Sequence, residues 1–125
     1  MSYTCSERYE SFIASTDMRS HQFKIVDLTG TAFKVDLAAS LKAFGVLVNQ
    51  PNAGEMATVV VEGETFVCVG AAVTVGSWCV SAATGFGGAS TSSVDQTILG
   101  RFKTAAASGM LAVVDVQVLR VGPIA

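Results

Sequence analysis

Residues 45–63 read GVLVNQPNAGEMATVVVEG. Two valine-rich runs are joined here by a turn, since Pro51 fixes its own φ and Gly54 can take the positive φ that such turns often need. The stretch holds no residue pattern typical of a catalytic or metal site. It predicts two strands between which the chain reverses, and therefore a β scaffold.

A second hairpin is predicted towards the end of the chain. The run from Ile98 leads through Ala-Ala-Ser-Gly into residues 110–121, and Gly109 supplies a permissive φ at the return. In the last run Ala112, Val114, Val116 and Val118 alternate with Asp115 and Gln117. Because successive side chains of a strand point to opposite faces, one face of this strand is predicted to lie in the core and the other in solvent.

Other short runs rich in β-branched and aromatic residues follow from residue 22, each bounded by Gly, Pro, Asn, Asp or Ser. The predicted strands are Phe23–Leu28, Phe33–Leu37, Phe44–Val48, Ala57–Glu62, Thr65–Val69, Trp78–Ala82, Ile98–Thr104 and Leu111–Val121. Regular spacing of such strands predicts an all-β fold, a small β-barrel or β-sandwich.

Residues 1–20 differ from the rest, because polar residues surround isolated apolar ones and no period is evident. We predict an extended N-terminal arm over 1–20, followed by a single β domain over 21–125. A short helix over Glu7–Ala14 is the competing local prediction. Spaced apolar residues in such an arm are suited to anchoring on a neighbouring molecule, whereas a disordered tail normally has fewer aromatic residues.

The composition indicates that much of the surface is covered by partners. Of 125 residues, 50% are hydrophobic and 14% are charged, whereas soluble domains average about 25% charged residues. A lone domain of this size would expose large apolar areas, and such areas usually mark interaction sites. The alternative interpretation is that Ala, Val and Gly raise the hydrophobic count without making an adhesive surface.

Charge and hydropathy exclude several classes of partner. The net charge is −2, and the eight Lys and Arg residues are scattered, so we expect no nucleic acid, whose binding needs a clustered basic face. No apolar run approaches the roughly 18 residues of a membrane span, so no membrane is expected either. The N-terminus lacks a basic and then apolar leader, which predicts synthesis in the cytoplasm.

No catalytic, cofactor-binding or metal-binding residues are predicted, and we expect no enzyme activity. The one histidine, His21, has no evident triad, since a triad needs a nucleophile and an orienting carboxylate around it. Three cysteines, Cys5, Cys68 and Cys79, show no metal-ligand spacing, and the last two have apolar neighbours typical of buried thiols. The Gly- and Ser-rich loop over 83–97 lacks the Gly-Lys-Ser/Thr of a phosphate-binding loop.

Three blocks carry a resemblance to a known family. Residues 45–63, 69–80 and 98–116 resemble, in order and separation, conserved blocks of the small capsid decoration (cement) proteins of tailed bacteriophages. The resemblance covers roughly the last four-fifths of the chain, and Ser11–Ala14 with Gln22–Val26 extend it upstream. Trp78 and Cys79 depart from the family pattern, as does the approach over 42–44.

The resemblance implies a structural virion protein, made in the host cytoplasm, that sits on the outer capsid surface and stabilises the capsid by bridging neighbouring subunits. Its implied partners are the major capsid protein and further copies of itself, as a trimer at three-fold or quasi-three-fold positions, with no cofactor. The candidate interface residues are Tyr9, Phe12, Ile13 and Met18 in the arm, with Trp78 and Phe86 as further candidates. The alternative is a module that binds glycan or a host surface through the loop over 83–93.

Overall fold

The computed structural model describes residues 8–39, 41–90 and 96–121. Nine strands lie within these ranges, together with a 3₁₀ turn at Ala83–Gly85. In chain order the strands are β1 (Arg8–Ala14), β2 (Ile25–Leu28), β3 (Lys34–Leu37), β4 (Gly45–Leu47), β5 (Met56–Cys68), β6 (Trp78–Ser81), β7 (Gly87–Ala89), β8 (Gln96–Phe102) and β9 (Leu111–Val121).

The first half of the chain closes into a five-stranded barrel. Its strands follow the order β1, β3, β2, β4 and the N-terminal half of β5, and β5 returns to β1. The closing pairs are antiparallel between β1 and β5, with Ile13 opposite Met56, and parallel between β1 and β3, with Ile13 opposite Lys34. Closure of this kind satisfies the strand edges within the ring.

The barrel interior is filled by small and branched apolar side chains. From β5, Ala57, Val59 and Val61 point inward, as the alternation of a strand requires. The other members of this cluster are Ala14, Met18, Val26, Val35 and Leu47, with Phe12, Leu37 and Phe44 packed against it.

The C-terminal half of β5 leaves the barrel and continues into a second part of the sheet, in the order β5, β9, β8, β6, β7. A parallel bridge between Val69 and Gly87 brings the last strand back to the end of β5. A second core lies beneath this part of the sheet and includes Val67, Leu99, Phe102, Ala112, Val114 and Val116.

The outer wall of the barrel contributes to the second core as well. Ile25, Val46 and Val60 belong to it, although their strands form the barrel. Since Val59 faces one core and Val60 the other, this part of β5 is buried on both faces. Because both faces of this part of β5 are buried, the run Val59–Val61 is apolar throughout. A strand with one solvent-exposed face would instead alternate apolar and polar residues.

The all-β fold predicted from the sequence is confirmed, and of the two predicted alternatives, barrel and sandwich, the structure contains a barrel. The predicted strands Ala57–Glu62 and Thr65–Val69 are one continuous strand, β5, in which Gly63 has a φ of 110°. Two strands were absent from the prediction: β1, which falls in the predicted arm, and β7, whose Gly-Gly-Ala sequence carries no β signal.

The segment predicted as an arm is built into the barrel from residue 8 onward. Residues 8–14 form β1 rather than the competing short helix, and they pair along β5. Beyond the strand, Met18 is fully buried in the barrel, and its N–H donates to the carbonyl of Pro51 over 2.9 Å. Residues 1–7 of the predicted arm lie outside the described residues.

Candidate interaction surfaces

The four interface residues predicted in the arm have different environments. Tyr9 and Ile13 are exposed, at 50% and 39% of their surface. Phe12 is half-buried, with its ring edge-to-face on Phe44 at 5.3 Å between centroids. Met18 is 0% exposed. The prediction that Met18 anchors on a partner is therefore wrong, because its side chain is already buried in the barrel core.

Three exposed apolar residues lie near one another at one end of the barrel, on β1, directly before β3 and on β5, and we call them the barrel patch: Ile13, Phe33 and Met56. Ile13 stands directly opposite Met56 across β1 and β5, so both side chains share the outer face. The N–H of Ile13 donates to the carbonyl of Phe33 over 2.7 Å, which brings the third residue alongside. Phe33 and Met56 are 73% and 62% exposed.

The backbone at Phe33 is in an uncommon conformation. Its φ is 62°, in the left-handed region that bulky side chains rarely adopt. The loop around it is held in place, since Thr29 accepts from the N–H of Thr31 at its hydroxyl and donates from its own N–H to Lys34. A large aromatic ring is thus presented to solvent on a loop whose conformation the fold imposes.

A second candidate surface is the outer face of the second part of the sheet, which we call the sheet face. It consists of the outward side chains of β5, β9, β8 and β6, whose inward neighbours form the second core. Its residues are Glu62, Glu64, Phe66, Cys68, Trp78, Arg101, Lys103, Leu111, Val113, Asp115 and Gln117.

One half of the sheet face is apolar. Phe66 and Leu111 are exposed on it, and Val113 stands opposite Phe66. The ring of Phe23 packs edge-to-face on Phe66 at 5.6 Å between centroids. Met110 is exposed next to this half, at the start of β9. This half therefore forms a continuous apolar area.

The other half carries charges in a row across the strands. Glu64 stands opposite Asp115, Asp115 opposite Arg101, and Arg101 opposite Trp78. The Arg101 guanidinium lies over the Trp78 ring at 5.0 Å from its centroid, a cation–π contact. Lys103 forms an exposed ion pair with Glu64. Trp78, one of the further candidates, is thus partly exposed and stacked within this row.

Phe86, the other further candidate, is half-buried near the 3₁₀ turn. The Lys24 ammonium lies 4.2 Å from the centroid of its ring. The Phe86 side chain also crowds Gly70, where an added Cβ would lie 3.1 Å from the Phe86 Cβ and 3.4 Å from the ring carbon Cγ. Phe86 is therefore held within the fold. Residues 91–95, which include the end of the loop proposed for glycan binding, lie outside the described residues.

Burial and a hydrogen-bonded neighbour shift the pKa values of Cys79 and Asp17. Burial raises the pKa of the Cys79 thiol to about 12, so this cysteine stays a neutral core residue at neutral pH. Arg19, hydrogen-bonded to Asp17 at 2.8 to 3.1 Å, lowers the pKa of that exposed carboxyl to about 2.

Among the described residues no cluster of three His, Cys, Asp or Glu could hold a metal ion. Nor does any described helix have the length and apolar character to cross a membrane.

Comparison with known proteins finds no matching family by sequence, but it does find a shared fold. No family model and no curated protein matches this chain. The fold, however, matches that of the head fiber gp8.5 N base in bacteriophage phi29. That crystal structure superposes with a TM-score of 0.70 and 15% identity, over 89% of this chain and 94% of the other. At this identity the likeness to the phi29 fiber base shows a shared fold.

Neither the barrel patch nor the sheet face was predicted from the sequence, although the sequence pattern indicates part of the sheet face. The predicted inward face of the last strand places Leu111 and Val113 outward, so large apolar residues there mark an exposed apolar surface. Phe66 gives the same signal, because it is a large apolar residue on the outward face of β5, between the half-buried Thr65 and the buried Val67. The barrel patch gave none, because it depends on the pairing of β1 with β5.

Proposed function

We propose that this chain is a structural protein of a bacteriophage virion, seated on the outer surface of the capsid. The observation that carries the proposal is the fold shared, along nearly the full length of both chains, with the base of a phage head fiber. The resemblance of residues 45–63, 69–80 and 98–116 to capsid decoration proteins supports the same role from sequence alone.

In this role the protein stabilises the capsid by bridging neighbouring subunits of the major capsid protein. Packaged DNA strains the joints between subunits, and a molecule bound across a joint adds buried area there. A stable interface buries about 800 Å² on each partner. A trimer engages three capsid surfaces at once, so modest individual contacts add up to firm attachment.

The barrel patch is the surface that we assign to the capsid. It joins Phe33 and Met56, the most exposed aromatic and the most exposed methionine of the described residues, to Ile13 on a closed barrel. Aromatic and aliphatic side chains on a rigid support are typical anchors of protein interfaces. Tyr9 points outward from the same strand as Ile13 and extends this surface along β1.

Electron cryomicroscopy of the virion tests the role directly. Virions are imaged from the phage that encodes this chain and from a phage lacking its gene. We expect density that fits this fold on the outside of the wild-type head, absent from the mutant head. Density confined to the tail, or heads identical in the two phages, would overturn the proposal.

A binding assay then tests the assigned surface. Heads lacking the protein are mixed with purified variants, and bound protein is counted by sedimentation and gel densitometry. Phe33→Ser and Met56→Ser are expected to lower occupancy at least tenfold at a limiting concentration. Val75→Ser, which changes an exposed residue outside both patches, is expected to bind like the wild type. Equal binding by all three variants would contradict the assignment.

Point substitutions are preferable here to removal of residues 1–20. That deletion would take away β1 and Met18, which together fill one side of the barrel core. Loss of head binding by the truncated chain would then follow from unfolding as readily as from a lost contact.

A further inference from the structure

We propose that the sheet face is the contact between copies of this chain, in which the acidic flank of one copy meets the basic flank of the next. The acidic flank comprises Glu62, Glu64 and Asp115, and the basic flank comprises Arg101 and Lys103. The inference deepens the proposed function, on which it rests, by assigning a surface to the self-assembly of the virion protein.

Charges of opposite sign are separated across the strands of the sheet face. The acidic residues belong to β5 and β9, whereas Arg101 lies in β8 and Lys103 directly follows that strand. Glu64 and Asp115 stand directly opposite each other, a like-charge pair that costs stability in an isolated sheet. Lys103 offsets part of this cost by its ion pair with Glu64. A second basic flank brought against Glu64 and Asp115 would offset the remainder.

The two flanks are complementary between neighbouring copies of a ring. About a rotation axis that is parallel to β9 and lies in front of the sheet face, the acidic flank of each copy faces the basic flank of its neighbour. Such head-to-tail contacts generate closed rings when the rotation closes. Charges of opposite sign steer the copies together and fix their register, whereas like flanks would repel.

An apolar area lies beside the charged row on the sheet face. Phe66, Val113 and Leu111 lie on the same face as the two flanks. An axis parallel to β9 keeps the apolar half of each copy at the level of the apolar half of the next. A central apolar cluster with a charged rim is the usual anatomy of a specific interface.

The size of the sheet face predicts how tightly copies associate. Seven residues each of β5 and β9, with the shorter contributions of β8 and β6, span about 300 Å² in projection, from a strand spacing of about 4.8 Å and a rise of about 3.3 Å per residue. A stable interface needs about 800 Å² per partner. We therefore expect association of the purified protein that depends on concentration, and that weakens with salt because the flanks are exposed.

The barrel patch lacks this pattern, which separates the two surfaces. Around Ile13 the paired residues are Met56 on one side and Lys34 on the other. No acidic flank faces a basic flank across it in the described pairings. The barrel patch is thus suited to an apolar surface of another protein, and the sheet face to a further copy of this one.

Sedimentation equilibrium of charge-reversed variants tests the inference. Glu64→Lys and Lys103→Glu are each expected to weaken association at least tenfold, because the first leaves the acidic flank with two acidic residues and one basic residue, and the second leaves the basic flank with one charge of each sign. An equimolar mixture of the two variants is expected to regain part of the association. In a mixed trimer, two of the three contacts then join opposite charges at positions 64 and 103, whereas the third still joins like charges. The Glu64–Lys103 pair within each chain stays broken in the mixture, so regained association must arise between chains.

A matched pair of apolar substitutions provides the control. Phe66→Ser on the sheet face is expected to weaken association at least tenfold, and Phe33→Ser on the barrel patch to leave it unchanged. Thermal unfolding of each variant verifies that it is folded. A wild-type protein that stays monomeric at millimolar concentration, or single variants that associate like the wild type, would overturn the inference.

The two proposals fail in different experiments. A chain that decorates heads but never associates with itself contradicts the role of the sheet face and leaves the virion role standing. A chain that associates through the sheet face but is missing from the head contradicts the virion role instead.

Discussion

Gly45 lies against the backbone of Val60 so closely that a methyl group at this position would overlap the Val60 carbonyl oxygen and the Val59 side chain. The contact occurs where β4 pairs with β5 in the barrel wall. The stretch that predicts a β scaffold from sequence therefore begins with a residue whose missing side chain permits this strand pairing.

Gly45→Ala is expected to destabilise the protein by about 1 to 3 kcal/mol, the range of overpacked core positions. Urea unfolding followed by tryptophan fluorescence measures the change in the free energy of unfolding. Gly88→Ala is the matched control in β7, where an added Cβ meets no atom within 4 Å, and its effect should stay within about 0.5 kcal/mol. Equal effects at the two glycines would contradict the close approach.

Two methionines provide a second matched pair. Met18 is fully buried in the barrel core, whereas Met56 is 62% exposed on the barrel patch. Met18→Ala should lower the free energy of unfolding by about 2 to 5 kcal/mol, as for other buried Met to Ala changes. Met56→Ala should change it by less than about 0.5 kcal/mol. A neutral Met18→Ala variant would show that the segment after β1 does not contribute to the fold.

The sequence predicted strands wherever one face is apolar and the other polar, or where both faces are apolar. It failed at β1, because in RYESFIA the inward side carries Glu10 beside Phe12 while the outward side carries Tyr9 and Ile13. With apolar residues on both faces and polar ones between them, no period of two is evident. It failed at β7 because Gly-Gly-Ala has no side chains to pattern.

The candidate surfaces were harder to predict than the fold. The barrel patch joins Ile13 to Met56, 43 positions further along the chain, through a pairing that only the closed barrel creates. Local patterns contain no information on which strand pairs with which. Trp78 stays a prediction as an interface residue, and the sequence does not reveal that the Arg101 guanidinium from another strand lies over its ring.

Cysteine reactivity checks the second core. Cys79 is buried, and burial raises its thiol pKa to about 12, so almost no thiolate is present at pH 8. In a Cys5→Ser background, a maleimide should label the half-buried Cys68 of the folded protein while Cys79 stays unlabelled until urea unfolds the chain. Mass spectrometry of peptides distinguishes the two sites. Labelling of both cysteines at the same rate in buffer would contradict the burial of Cys79.

The Asp17 carboxyl should titrate well below its ordinary pKa. Hydrogen bonds from Arg19 lower its pKa from an ordinary 3.8 to about 2. Because the folded-state pKa is the lower one, the stability that this contact contributes is present above pH 4 and is lost as the pH falls towards 2. Carbon-13 NMR of the carboxyl should give a midpoint of about 2 in the wild type and a higher one in Arg19→Gln. An unchanged midpoint in Arg19→Gln would show that the two side chains do not interact in solution.

Phe33 combines a left-handed backbone with an exposed ring, and this combination makes stability and binding separable. At ordinary positions a glycine is less stable than an alanine by about 0.5 to 1 kcal/mol. At a φ of 62° the order should reverse, because a Cβ in this region costs about 1 to 2 kcal/mol. We therefore expect Phe33→Gly to be more stable to urea than Phe33→Ala, although both lose the ring. Both should lose head binding alike, since the barrel patch loses its most exposed anchor in each. If Phe33→Ala proved the more stable of the two, the backbone at this position would be relaxed, and the ring would be exposed without any strain imposed by the loop.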